Sequence, residues 1–137
     1  MANTQAVNNP RMPNFSQVFS WGFKLSKFDE LFFVTGHGDC NAEFVTQYPN
    51  DAVAQTQAIL KNIKQLIEEA GYSIHDIVRT DWTFVKDVTN EDFAGIAKVW
   101  EDFLAPLTHK PATGTLRYVD RLGAPEMLVE YEMILAR

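Results

Sequence analysis

The hydrophobic period of this chain switches repeatedly between two residues and that of an α-helix, and the order of the switches leaves few folds open. Between Gln17 and Leu25 the odd positions Phe19, Trp21, Phe23 and Leu25 are apolar, which marks a half-buried strand. "SKFDE" then has turn composition, and the apolar run "LFFVT", bounded by Gly36, is predicted to form a second strand pairing back on the first. From Asp51 to Ala70 the period becomes helical. Val53, Leu60 and Ile67 form one stripe, Thr56, Ile63 and Ala70 lie beside it, and Ile59 and Leu66 fill in. Asn50 or Asp51 can cap the start, and Gly71 stands where a left-handed C-terminal cap belongs.

"IVRTDWTFVKDV" returns to period two, with Val78, Thr80, Trp82 and Phe84 on one side. Thr89 followed by Asp92 is a relative of the capping box and opens a second helix, in which Phe93, Ile96, Ala97, Trp100, Phe103 and Leu104 face one way until Pro106. "HKPATGTLRYV" reads as a strand entered through small residues. In "MLVEYEMILA", Met127, Val129, Tyr131, Met133 and Leu135 share one face. Layer logic turns this order into an α+β domain: one sheet with both helices packed on one face. The other face is then free of helices, and Trp82 or the aromatic face of the first strand is expected on it, an apolar surface suited to an oligomer. Residues 1–14 are polar, carry two prolines and read as an N-terminal arm to a single domain over 15–137.

Composition narrows the function. A formal charge of −6 and no basic run longer than two residues oppose binding to phosphate backbones, so no nucleic-acid partner is predicted. The longest apolar run, Leu31 to Val34, is too short to cross a bilayer. "MANTQAVNNPRMPN" resembles neither a signal peptide nor a transit peptide. The one cysteine, Cys40, has no internal disulfide partner, which fits a reducing cytoplasm.

Four segments in this order, "LFFVTGHG", "AQTQAILKNIKQLIEEAGYSIHDIVRTDWTFVKDV", "HKPATGTLRYV" and "LVEYEMILA", resemble the YjgF/RidA-like reactive-intermediate deaminases over about 14–136. The resemblance implies a chorismate-mutase-like fold and a homotrimer with clefts between neighbouring subunits. It also implies hydrolysis of enamines or imines to keto acids and ammonia, with no metal or organic cofactor. In typical deaminating members the third residue of Pro-Ala-Arg-Ser is an arginine that clamps the substrate carboxylate; here it is Thr113. The tyrosine of Tyr-Ser-Gln becomes Phe15, a frequent asparagine falls on Ala97, a cysteine falls on Thr115, and Ser-Gly-Gln becomes Thr35-Gly36-His37. Glu130 matches the first glutamate of Val-Glu-Ile-Glu, to which the resemblance assigns the orienting or activating of water.

The candidate catalytic residues are therefore Glu130 and His37, and the candidate substrate-binding residues are Phe15, Thr113, Gly114, Thr115 and Arg117. Each has a plainer reading: Glu130 as a solvated strand glutamate like Glu132, His37 as a surface histidine, the threonines as strand formers, Phe15 as core or subunit interface. Arg117 and Arg121 are the cations that follow the altered motif, and strand alternation places Arg117 on the face of Thr113 and Thr115. His37, Asp39 and Cys40 lack a second ligand motif, so no metal site is predicted. The function expected is a divergent hydrolase or deaminase acting on a small nitrogen-containing metabolite, weak on ordinary 2-imino acids. The alternative is a noncatalytic small-molecule-binding or protein-interaction trimer.

Overall fold

The computed structural model describes residues 2–137. In chain order the elements are β1 (Asn3–Val7), β2 (Gly22–Ser26), β3 (Leu31–His37), α1 (Ala52–Glu69), a 3-10 turn (Ile74–Asp76), β4 (Ile77–Val85), α2 (Asn90–Leu104), β5 (Ala112–Thr113), β6 (Arg117–Val119) and β7 (Val129–Ala136). The main sheet is mixed, in the order β3-β7-β4-β5 with β6 also on β4. β3, β7 and β4 run antiparallel to their neighbours, whereas β5 and β6 run parallel to β4. Both helices pack on one face of it, as the alternating periods predict.

Local chemistry sets the helix ends. The Asp51 carboxylate accepts the Ala54 N–H at 3.0 Å, and Gly71, at φ +85°, turns the chain so that the Tyr72 N–H reaches the Ile67 carbonyl at 2.8 Å. Thr89 and Asp92 satisfy each other's backbone N–H groups at 3.1 and 3.0 Å. Register then builds the core. Val129, Tyr131, Met133 and Leu135 of β7 face the helices opposite Phe84, Trp82, Thr80 and Ile77 of β4. Trp82 stacks on Trp100 of α2 at 5.1 Å. Thr56 of α1 donates to the Ala52 carbonyl at 2.9 Å, so the 2.6 Å contact with Tyr131 has the phenol as donor; burial pushes that phenol's pKa well up. Each such buried side chain contributes about 1.5–3 kcal/mol.

Four sequence expectations need correction. The period-two stretch from Gln17 is a strand only from Gly22; before it, Phe19 N–H bonds to the Phe15 carbonyl at 3.1 Å, a helix-like turn that gathers Phe15, Phe19 and Trp21 into one aromatic cluster. β2 does not pair with β3. It pairs with β1, formed from the polar arm, in a separate two-stranded ribbon, while β3 takes its partner from the distant β7. Trp82 lies under the helices and not on the open face. That open face is not apolar either: register places Arg79, Asp81, Thr83, Glu130 and Glu132 on it beside Ile134 and the 65% exposed Phe33.

Candidate functional site

On the open face, register aligns Glu130 of β7, Thr83 of β4 and Arg117 of β6 in one row. Two strand spacings separate the outer members, roughly 10 Å between Cα atoms, with the small Thr83 side chain between them. The end of β3 supplies the other wall. A methyl group on Gly36 would lie 2.6 Å from Oε1 of Glu130, so this glycine is what gives the carboxylate its place. The two glycines around His37 read from sequence as a loop or as a strand end with unusual backbone; Gly36 belongs to the end of the strand and makes room for Glu130 by having no side chain.

Gly114 does the same elsewhere on this face. A methyl group there would lie 1.8 Å from Oδ1 of Asp81 and 2.6 Å from Nη2 of Arg79. Arg79 donates from Nε and Nη2 to the two carboxylate oxygens of Asp81 at 3.0 and 3.1 Å, and it leaves Asp81 only 6% exposed while remaining 49% exposed itself. The small residues of "ATGT" therefore leave room for a bidentate ion pair. Asp81 stands opposite Glu132 in the ladder, so Arg79 also offsets a like-charge pair.

The sequence-predicted residues do not all converge. Arg117 was expected to share a face with Thr113. In fact Thr113 pairs with Thr80 while Arg117 pairs with Thr83, so four residue steps on one strand match three on the other. The extra residue is a bulge between β5 and β6, and it turns Arg117 to the face of Glu130 and leaves Thr113 on the face toward the helices, beside the buried and unpartnered Thr80 hydroxyl. Thr115 lies in the irregular link between β5 and β6. His37 pairs with Tyr131, the residue after Glu130, and its Nδ1 lies 2.5 Å from the Thr35 carbonyl. Phe15 is exposed and packs on Phe19 and Trp21, in the turn that leads to Ser20, and Ser20 bridges to Ala112 of β5. Asp39 is committed to its own loop: its carboxylate accepts the Tyr48 N–H at 2.7 Å, and burial raises its pKa.

Two features escaped the sequence reading. Thr83 acquires its position only through pairing with two distant strands. Gln55 is fully buried on α1; its amide donates to the carbonyls of Tyr48 and Glu126, and its oxygen accepts the Leu128 N–H, each at 2.9 Å. It thereby holds the chain just ahead of β7 and fixes where Glu130 begins its run. The signal was present, since position 55 fits the spacing of Ala52, Ile59 and Ile63 along the buried stripe.

The arrangement puts a carboxylate, a hydroxyl and a cation in one row of the open face. Residues 14–136 match the family described as endoribonuclease L-PSP. The chain belongs to this family, in which the RidA/YjgF proteins fall. A RutC family protein of Pyrococcus abyssi is 31% identical over 116 residues, covering 85% of this chain and 84% of the relative. The 2-iminobutanoate/2-iminopropanoate deaminase of Escherichia coli K12 is 40% identical over 57 residues, a match spanning 42% of each chain. Among solved structures, the Rid family protein YyfB from Yersinia pestis superposes with a TM-score of 0.85 at 26% identity, covering 98% of this chain and 99% of that one. Every candidate residue of this Rid-family chain, from Phe15 to Glu130, falls inside the matched span.

Proposed function

We propose that this chain is a Rid-family hydrolase or deaminase that cleaves the C–N bond of a small enamine- or imine-type metabolite in a cleft between subunits of a homotrimer. The observation that carries the reading is the Glu130 carboxylate, seated over Gly36 and in one row with Thr83 and Arg117. In this reading Glu130 takes a proton from water as the oxygen attacks the imine carbon, giving a carbinolamine. It returns the proton to nitrogen, the hydroxyl proton passes to the carboxylate as the C–N bond breaks, and a carbonyl compound and ammonia leave. His37 stands at the same strand end with Nδ1 facing the Thr35 carbonyl, but its pairing with Tyr131 puts it in the helix-facing row, so the proton transfer is given to Glu130 alone. Arg117 receives an anionic group of the substrate, Gly114 and Thr115 shape the strand break beside it, and Phe15 and Thr113 complete the binding surface. The chemistry needs no cofactor, and the cytoplasm is its proposed setting.

With Thr113 at the place of the usual arginine, ordinary 2-imino acids are expected to be slow substrates, because their carboxylate must be held from a new direction. A panel of imines generated in situ from amino acids and amines tests the proposal. Turnover of at least one imine well above the uncatalysed rate is expected. Binding of the corresponding carbonyl compounds without turnover of any imine would support the second reading, a noncatalytic small-molecule-binding trimer. That reading draws on Phe15, Thr113 and Thr115, which lack the hydroxyl, guanidinium and thiol that the resemblance assigns to those positions.

A further inference from the structure

β3 ends the main sheet, with β7 on one side and no strand on the other. The alternating pattern predicts β2 there, but β2 takes β1 instead. Which backbone groups this leaves over follows from the ladder. Glu30 and Arg137 exchange both N–H···O bonds, at 3.0 and 3.2 Å, so alternation makes Phe32–Leu135 and Val34–Met133 the next bonded pairs. The N–H and C=O groups of Leu31 and Phe33 therefore point away from β7, to an edge that no strand covers among the described residues. Their side chains stand on the open face, 42% and 65% exposed.

Edge strands are ordinarily shielded by a charge, a proline, a bulge or a covering segment. From Leu31 to Gly36, β3 has no charged residue and no proline, and its register shift falls beyond Val34. In a chain of net charge −6, two copies can meet along this neutral edge without like charges opposing each other. At its near end Glu30 is already neutralised by its ion pair with Arg137.

We infer that the β3 edge is a self-association site, at which two copies pair antiparallel across a two-fold axis at Phe32, Leu31 of each standing opposite Phe33 of the other. This register satisfies both outward-pointing residues of each strand with about four backbone hydrogen bonds. It also sets Leu31 against Phe33 twice on the open face, an apolar cross-strand pair on either side of the axis. Phe32 stays bonded to Leu135 and meets its own copy at the non-hydrogen-bonded position. A second copy fits better than an unrelated strand because the edge is complementary to itself: one segment supplies both apolar members and both sets of donors and acceptors. The inference goes beyond the proposed function, which needs a cleft in a trimer, and it requires an even number of chains.

Sedimentation velocity and amide hydrogen exchange on the full chain test it. The wild-type protein should sediment as a dimer, or as a hexamer where the proposed trimer also forms. The Leu31 and Phe33 amides should exchange roughly 100-fold or more slowly than free ones. Leu31→Lys and Phe33→Glu change exposed positions, so each protein should keep its thermal midpoint within a few degrees, lose that protection and fall to half the mass. A 1:1 mixture of the two should regain the wild-type mass, because the introduced lysine then faces the introduced glutamate across the axis. A monomer or a trimer whose Leu31 and Phe33 amides exchange freely overturns the inference, and the trimer would leave the proposed function standing. An even-numbered assembly that neither substitution splits also overturns it, since its contact lies elsewhere. A dimer that both substitutions split, and that turns over no imine, would defeat the proposed function and leave this inference intact.

Discussion

Replacing Gly36 by alanine separates the seat of Glu130 from the rest of the fold. The new methyl group would lie 2.6 Å from Oε1, 2.9 Å from Cδ and 3.2 Å from Cγ of Glu130, so the carboxylate must retreat by about 1 Å to reach ordinary contact distance. Displacement of a reacting group by that much costs roughly 100-fold in rate, within the range of about 10²–10⁴ that a positioned acid–base group supplies. Stability should hardly change. Gly36 does not need a positive φ, so alanine gains roughly 0.5–1 kcal/mol over glycine in a strand, and a strained glutamate rotamer costs about 0.5–1.5 kcal/mol. The expected result for Gly36→Ala is thus a kcat for imine hydrolysis about 100-fold lower, with a thermal midpoint within a few degrees of wild type. Steady-state kinetics beside a thermal melt decides it. A kcat within twofold of wild type would show that the position of Glu130 over Gly36 is not what the chemistry uses.

Gln55→Leu strips partners from the Tyr48 and Glu126 carbonyls and the Leu128 N–H, and urea unfolding should register a loss of about 3–5 kcal/mol; a loss under about 1 kcal/mol would contradict the tether. Thr89→Ala removes the N-cap of α2 and should cost about 1 kcal/mol in the same assay, with no change indicating that the cap is dispensable. Asp39 has a raised pKa in the folded state, so it holds its proton more tightly folded than unfolded. Its contribution is complete below the unfolded value of about 3.9 and is lost as pH rises through the raised folded value. Relative to wild type, Asp39→Asn should therefore gain stability between pH 4 and pH 7, and a difference that stays flat over that window would refute the assignment.

What the sequence made legible was whatever depends on local period and local capping. The two helices, their faces and the Asp51, Thr89 and Gly71 ends follow from side chains within a few residues of one another. Strand partners do not. Nothing local tells β3 to pair with β7 rather than with β2, and the polar segment Asn3–Val7 carries no apolar alternation, yet it supplies the partner that β2 takes. The same limit governs the site. Glu130 was visible as a carboxylate within an apolar run, but its relation to Thr83 and Arg117 is a matter of register across three strands. Alternation misplaced Arg117 because a one-residue bulge inverts every face beyond it, and the strand against which that bulge is registered lies about thirty residues earlier in the chain. Gly36 and Gly114 were visible as glycines, and only the positions of Glu130 and Asp81 explain them.

The central claim is that Glu130 carries acid–base work on an imine, and the most direct measurement is imine hydrolysis by the wild-type protein and by Glu130→Gln. 2-Iminobutanoate and a wider set of imines, formed in situ by an amino acid or amine oxidase, would be followed by carbonyl product and by loss of semicarbazone trapping. Glu130→Gln keeps the size of the side chain and two polar atoms but cannot take a proton from water. The account predicts that the wild-type protein accelerates hydrolysis of its best imine, and that Glu130→Gln lowers kcat at least 100-fold with the fold and thermal midpoint retained. Equal turnover by both proteins would contradict it.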